Sequence, residues 1–479
     1  MKQNFRYVKK EDRKKILLLC DDIRMHSGIA TMAREIVIGT SHHFNWINLG
    51  AAINHPEAGK GFDISPEVNN FAGIDDAWVR VLPNNGYGDA MQVRALIAQE
   101  KPDAILIFTD PRYWVWLFEI EREIRNEIPI HYLNIWDDLP APLYNKAYYE
   151  SCDLLMAISK QTKNINEIVL GDKAKDKVIK YVPHGINDKH FFPIRQGHEN
   201  FEVLQQFKKN MFGDKEIDFV VLFNSRNIRR KSPGDVILSY KLFCDMIGQE
   251  KSQRCALVMH TQAVDENGTD LYAVREALCD DHVNVYFSQD KLDTPQMNLL
   301  YNVADVGLLI TSNEGWGLSL TETMMAGRMI IANVTGGMQD QMRFEHNGEW
   351  IDFTPDFPSN HRGTVKDCGD WAVPVFPSNI SLVGSVPTPY IFDDRCAPED
   401  VAKAICDVYD IGKEERDAKG LLAREWVTSD ESGMSARQMC ENVIDAMNES
   451  FEKFTPRPRF DLHKVTDRPK KRITHKLRY

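Results

Sequence analysis

Nine cysteines are scattered over 479 residues without a single Cys-x-x-Cys pair. That removes the common zinc signature and fits a reducing compartment. Long apolar runs are also missing, and none approaches the ~20 residues that a membrane span needs. The short run Ile16-Leu-Leu-Leu-Cys20 follows Lys14-Lys15 in the manner of a leader peptide, but it ends at Asp21-Asp22. It reads as a buried strand instead. No short-period repeat is visible. The expected setting is the cytoplasm, with no transmembrane segment.

The composition is that of an ordinary globular chain, 43% apolar and 27% charged, so global disorder is not expected. The length allows two to three domains, each with its own core. Charge is unevenly spread. The chain carries −12 overall, while Thr455–Tyr479 holds nine Lys/Arg against two Asp. By subtraction, the body is strongly acidic. Such a body disfavours nonspecific nucleic-acid binding, whereas a basic tail can contact a polyanion.

Strand and helix patterns alternate, which predicts an α/β fold with parallel sheets. Strands are expected at 15–20, 44–49, 104–108, 131–136, 154–158 and 178–182. A second series is expected at 218–223, 256–260, 283–287, 306–310 and 328–333. Helices are expected to start near Ser27, Asn145, Pro233, Met297 and Leu318, with one continuous helix over 114–125. Charged residues within 192–215 separate the series. The expected domains are 1–195 and 196–430. The second contains an irregular, Pro- and Trp-rich excursion at 342–398. A helical segment at 431–455 is expected to pack back on the first domain, ahead of a basic tail at 456–479.

Three constellations carry chemistry. In Ser312-Asn-Glu-Gly-Trp-Gly-Leu-Ser-Leu-Thr-Glu322, two acids flank a Gly-x-Gly turn between a strand and a helix. Carboxylates suit hydroxyls, and the free N–H groups of a helix start suit phosphate. Glu322 lies among Leu318, Leu320, Met324 and Met325, where an unpartnered carboxylate is costly. The second constellation, Asn224-Ser-Arg-Asn-Ile-Arg-Arg-Lys231, follows a strand. There Arg226 and Lys231 can hold a diphosphate whose negative charge grows as it leaves. The roles of Arg229 and Arg230 stay open. In the third, His26-Ser-Gly-Ile-Ala30, Gly28 permits close backbone approach to a ligand at a helix start.

These residues resemble the retaining GT-B glycosyltransferases of the family four type. The carriers are Arg226 with Lys231, Tyr301-Asn-Val-Ala-Asp305, Thr311-Ser312, Glu314-Gly-Trp-Gly-Leu318, Glu322 with Ala326-Gly327, and Thr335-Gly-Gly337. Val182-Pro-His-Gly-Ile-Asn187 resembles the family's motif near the domain junction. The resemblance implies two doubly wound, Rossmann-like domains facing a central cleft. It implies that Arg226 and Lys231 hold the nucleotide diphosphate and that Glu322 binds the ribose diol. Glu314 and the backbone of Gly315, Trp316, Gly317 and Leu318 would face the donor sugar and distal phosphate, and Gly28 would approach the diphosphate. No Asp-x-Asp pair occurs, so cations and a helix end stand where a metal otherwise would. No metal and no cofactor beyond the donor is expected.

One departure concerns a His that relatives carry after a central strand of the first domain, near the donor sugar's hydroxymethyl. Here the segment is Asn134-Ile-Trp-Asp-Asp138. Either Asp137, counted with the catalytic group, or Asp138, on the acceptor side, replaces it, or both only cap the next turn. The change hints at an altered donor sugar such as a pentose. Asp110, Arg112, Tyr113 and Trp114 are further acceptor-side candidates, as are His26, Asp21 and Asp22, against a plain packing role. The resulting expectation is transfer of a sugar from a nucleoside diphosphate donor to a hydroxyl acceptor, with retention. The acceptor's identity stays open, and a modified DNA base is permissible. A nucleotide-sugar epimerase and a non-catalytic sugar-nucleotide or nucleic-acid binding module are the alternatives.

Overall fold

Strands form where apolar residues run unbroken. Ile16–Cys20 and Ala104–Phe108 are each at most 2% exposed, a pattern that suits parallel strands covered on both faces. The computed structural model describes residues 6–460, apart from the side chains of residues 52 and 53. The chain divides into two compact units.

The first unit takes the chain up to Gly185, Ser385–Thr388 and the segment from Ala436. Its sheet has eight strands: β1 (Lys14–Asp21), β2 (Phe44–Ile53), β3 (Phe62–Asp63), β4 (Val79–Asn85), β5 (Ala104–Phe108), β6 (Ile130–Asn134), β7 (Leu154–Ala157) and β8 (Val178–Tyr181). Their order is β3-β4-β2-β1-β5-β6-β7-β8. Every neighbouring pair is parallel except β3 with β4. The order reverses between β1 and β5, so the loops after these strands flank a topological switch point. The helix Gly28–Thr40 leaves the β1 loop, and Ser27 Oγ caps it by accepting from Ala30 N at 3.0 Å. The helix Ala436–Lys453 packs on it so closely that a Cβ at Gly39 would overlap Cys440 Sγ.

The second unit spans Ile186–Gly384 and Pro389–Ser435. Its six-stranded sheet has the order β11-β10-β9-β12-β13-β16 and is parallel throughout. The strands are β9 (Phe219–Asn224), β10 (Cys255–His260), β11 (Val285–Ser288), β12 (Val306–Leu309), β13 (Met329–Asn333) and β16 (Ala372–Val375). This is the doubly wound order, with its switch point between β9 and β12. Two antiparallel hairpins complete the unit: β14 (Glu345–His346) with β15 (Glu349–Trp350), and β17 (Asn379–Val383) with β18 (Ile391–Arg395). The 342–398 stretch is therefore one sheet strand plus these hairpins.

Two local expectations need correction. The stretch 114–125 is not one helix. A 3-10 turn, Pro111–Trp114, leads into the short helices Val115–Glu119 and Glu121–Ile124, broken at Ile120. The charged stretch 192–215 contains the helix Phe201–Phe212, which buries only Leu204 and Phe212. Among the described residues, no helix is long and apolar enough to cross a membrane. The cluster Arg468-Pro-Lys-Lys-Arg472 lies outside the described residues.

Candidate active site

Both switch points carry the polar residues singled out in the sequence. In the second unit, β9 runs into the cation loop and β12 into the acid loop. The two loops are laced together. Ser312 N donates to Arg230 O at 2.8 Å, and Thr311 Oγ1 lies 2.9 Å from the same carbonyl. Buried Asn227 holds the cation loop from the other side. Its carboxamide donates to Thr269 O at 2.7 Å and accepts from Thr269 N at 3.1 Å. After the 3-10 turn Arg229–Lys231, Ser232 takes a left-handed φ of 50° and turns the chain into the helix Pro233–Ile247.

This lacing delivers Lys231 to Glu314. Lys231 Nζ donates to Glu314 Oε2, and Arg230 Nη1 reaches the same oxygen at 3.2 Å. Lys231 is buried and Glu314 nearly so. Arg230 Nη1 also donates to Asn313 O at 2.7 Å. Arg226 stands apart, with its side chain 65% exposed and its Nε 3.3 Å from Asp265 Oδ2. Arg229 is exposed.

The helix Leu318–Met325 begins at Gly317 with no side-chain cap, so its first turn keeps its dipole and donors for another partner. Trp316 is 3% exposed and its Nε1 donates to Thr321 Oγ1 at 3.1 Å. Its indole packs beneath the turn, leaving the backbone as the part a ligand can approach. The turn is also clamped from below. Gly337 N donates to Glu314 O at 3.0 Å, and a Cβ at Gly337 would overlap the Gly315 carbonyl oxygen.

Glu322 sits one helical turn further in. It accepts from the Tyr301 hydroxyl, which itself accepts from Asn224 Nδ2 at 2.6 Å. Burial pushes the Glu322 carboxyl up to about 7, and the Tyr301 hydrogen bond opposes that rise. The two acids therefore differ: Glu314 is paired with cations, and Glu322, without a cation, is raised by desolvation.

The β17–β18 hairpin adds partners that local sequence does not reveal. Ser312 Oγ donates to Asp393 Oδ1 at 2.6 Å, and Asn313 Nδ2 lies 3.4 Å from it. Asp394 N donates to Ser312 O at 3.0 Å, while Thr335 Oγ1 donates to Asp394 Oδ2 at 2.6 Å. Asp393 and Asp394 thus brace the acid loop from about eighty residues away. Tyr301, Asn224 and Arg230 were visible as motif members but carried no assigned role.

In the first unit, Gly28 opens its helix beside Ser27, whose hydroxyl donates to Asp21 Oδ2 at 2.6 Å. Asp22 is held by Arg24 Nη2 at 2.7 Å. His26 is exposed. Across the switch point, Asp110 and Arg112 pair with each other, with Arg112 Nε 2.8 Å from Asp110 Oδ1. The Arg112 guanidinium lies 5.9 Å from the Trp136 ring centroid, which brings this loop beside the Asp137-Asp138 turn. The backbone carbonyl of Asp137 accepts from Gln161 Nε2, and that of Asp138 from Trp136 Nε1 at 3.2 Å. Tyr113 is 47% exposed, whereas Trp114 is fully buried.

The second unit is thus doubly wound, with cations after its first strand and an uncapped helix after its fourth. Residues 205–357 match the family model described as glycosyl transferases group 1. Among solved structures, sucrose-phosphate synthase from Thermosynechococcus elongatus is similar at 15% identity and a TM-score of 0.61, covering 92% of this chain and 100% of its own. A glycosyltransferase from Rickettsia africae is similar at 13% identity and a TM-score of 0.60, covering 92% and 99%. Anabaena HepE, solved with UDP and glucose, is similar at 13% identity and a TM-score of 0.58, covering 91% and 100%. No curated protein sequence matches the chain. The fold is that of the GT-B glycosyltransferases, and residues 205–357, within the second unit, match the group 1 model.

Proposed function

We propose that the protein transfers a sugar from a nucleoside diphosphate donor to a hydroxyl acceptor with retention of anomeric configuration. The observation that carries this reading is the convergence of Lys231, Glu314 and the uncapped helix start on one loop pair. Arg226 and Lys231 hold the diphosphate, and Glu322 binds the ribose diol. The bond from the anomeric carbon to the diphosphate oxygen breaks, and the charge left on that oxygen is met by Lys231 and the helix end. The acceptor oxygen bonds to the anomeric carbon on the same face and passes its proton to the departing diphosphate. No protein nucleophile, metal or cofactor takes part. Uridine diphosphate sugars are the first donors to test, because HepE is solved with UDP and glucose. A pentose donor is included because Asp137 or Asp138 would replace the His that relatives place there.

A modified DNA base is one acceptor that the basic C-terminal segment would serve. Within the described part of that segment, Arg457 Nη2 lies 3.4 Å from Asp153 and Arg459 Nη2 lies 3.8 Å from Glu123. These two cations are turned to the protein's own acids. A donor screen by thermal shift tests the central reading, since a ligand at a hundred times its Kd stabilises by about 2.7 kcal/mol. Stabilisation by at least one nucleoside diphosphate sugar is expected, and NMR of the product's anomeric proton reports retention. No stabilisation by any donor would overturn the reading. Conversion of donor alone to an epimer would favour the epimerase instead.

A further inference from the structure

The first unit has an open groove of about 490 Å³ in the stretch that follows β4, lined by Asn84, Asn85, Tyr87, Asp89, Met91 and Gln92 among others. Its aromatic wall is prebuilt. Tyr87 stacks on Tyr113 with ring centroids 4.1 Å apart and planes 1° from parallel, and it meets Trp114 edge-on at 5.4 Å. Tyr113 belongs to the loop after β5, so loops from two strand carboxyl ends meet here. These are the ends at which doubly wound sheets bind ligands. Beside the aromatic pair, Met91 is 80% exposed.

The polar wall is equally specific. Gln92 Nε2 donates to Asn84 Oδ1 at 3.0 Å, which fixes the orientation of both carboxamides. Asn85 is exposed, and its Oδ1 accepts from His55 N at 2.8 Å. Asp89 caps the following helix by accepting from Gln92 N at 2.9 Å. Carboxamides and a carboxylate beside a half-buried Tyr87 match a ring that has apolar C–H faces and a rim of hydroxyls. Among the described residues lining the groove there is no lysine or arginine. A phosphodiester or a sugar phosphate would find no countercharge there and would meet Asp89.

We infer that this groove binds a neutral saccharide, which is the acceptor of the transfer. The inference rests on the transferase reading above and narrows its acceptor to an uncharged sugar rather than a DNA base. Tyr87, backed by Tyr113, forms the platform, and Asn85 and Gln92 read the hydroxyls.

Saturation-transfer NMR on the full chain tests it. The probes are the methyl glycosides of glucose, galactose and mannose, with maltose, glucose 6-phosphate and a single-stranded oligothymidylate. At least one neutral sugar is expected to bind, and Tyr87→Ala to weaken it by about tenfold or more. Met91→Glu, at an exposed position, is expected to weaken it too without moving the thermal midpoint. Binding only of the phosphorylated sugar or the oligonucleotide would overturn the inference. So would binding of no neutral sugar, or binding unchanged in both variants. Nucleotide release from donor by the unaltered protein is measured separately, so failure of the transferase reading shows there and not in the sugar titration.

Discussion

Lys231 Nζ and Glu314 Oε2 form an ion pair that joins the loop after β9 to the loop after β12. On the proposed reading, a donor diphosphate would take the place of Glu314 at Lys231. Lys231→Ala leaves Glu314 with Arg230 alone and is expected to cost on the order of 1–3 kcal/mol of stability. In Lys231→Ala/Glu314→Ala the urea midpoint recovers toward the original value while donor affinity does not. Recovery of both would remove Lys231 from the donor site.

Glu322 titrates near neutrality. Its carboxyl is raised to about 7 by burial, so the folded protein holds a proton that the unfolded chain releases near 4.5. Between these values the folded state binds more protons, and stability attributable to this group falls as pH rises. Glu322→Gln removes the charged form and is expected to raise the thermal midpoint at pH 8 more than at pH 6. Diol binding favours the carboxylate, so donor KM rises as pH falls through about 7, and that dependence disappears in Glu322→Gln. A flat profile in the unaltered protein would contradict the role.

Tyr301→Phe keeps the buried ring but takes the hydroxyl from Glu322. The lost hydrogen bond no longer opposes the effect of burial, so the acid limb of the donor KM profile is expected to move to higher pH. A purely packing role for Tyr301 would leave that limb in place.

Gly337→Ala pushes a methyl into the Gly315 carbonyl. Backbone cannot yield as a side-chain tip does, so the turn shifts, with a cost of about 1–3 kcal/mol. Donor affinity and thermal midpoint are expected to fall together. Asp393→Asn retains the side chain's volume but loosens the charge-assisted hold on Ser312. Its expected mark is a higher donor KM with the thermal midpoint nearly unchanged. An unaltered KM would show that the hairpin does not position the acid loop.

Much of the second unit was legible in the sequence because its strands are unbroken apolar runs and its polar residues cluster at their ends. The helix Pro233–Ile247 could be read from its proline start and its period. Elements between residues 62 and 100 went unread, since β3 has two residues and the helix Ala90–Glu100 buries only Val93. The helix Phe201–Phe212 was hidden for the same reason: its two buried residues make too thin an apolar stripe. The bracing of Ser312 by Asp393 and the stacking of Tyr87 on Tyr113 are contacts between distant segments, for which no local pattern exists. Trp316 entered the site only through its backbone, and its buried indole, bonded to Thr321, leaves that role open.

Release of nucleoside diphosphate from the donor found in the screen, compared across the unaltered protein, Lys231→Ala and Glu322→Ala, tests the donor site most directly. Both variants are expected to lose at least about a hundredfold in turnover per donor bound or in donor affinity, as expected when a charge-stabilising group is removed. Unchanged release in both would contradict the assignment of this loop pair as the sugar-transfer site.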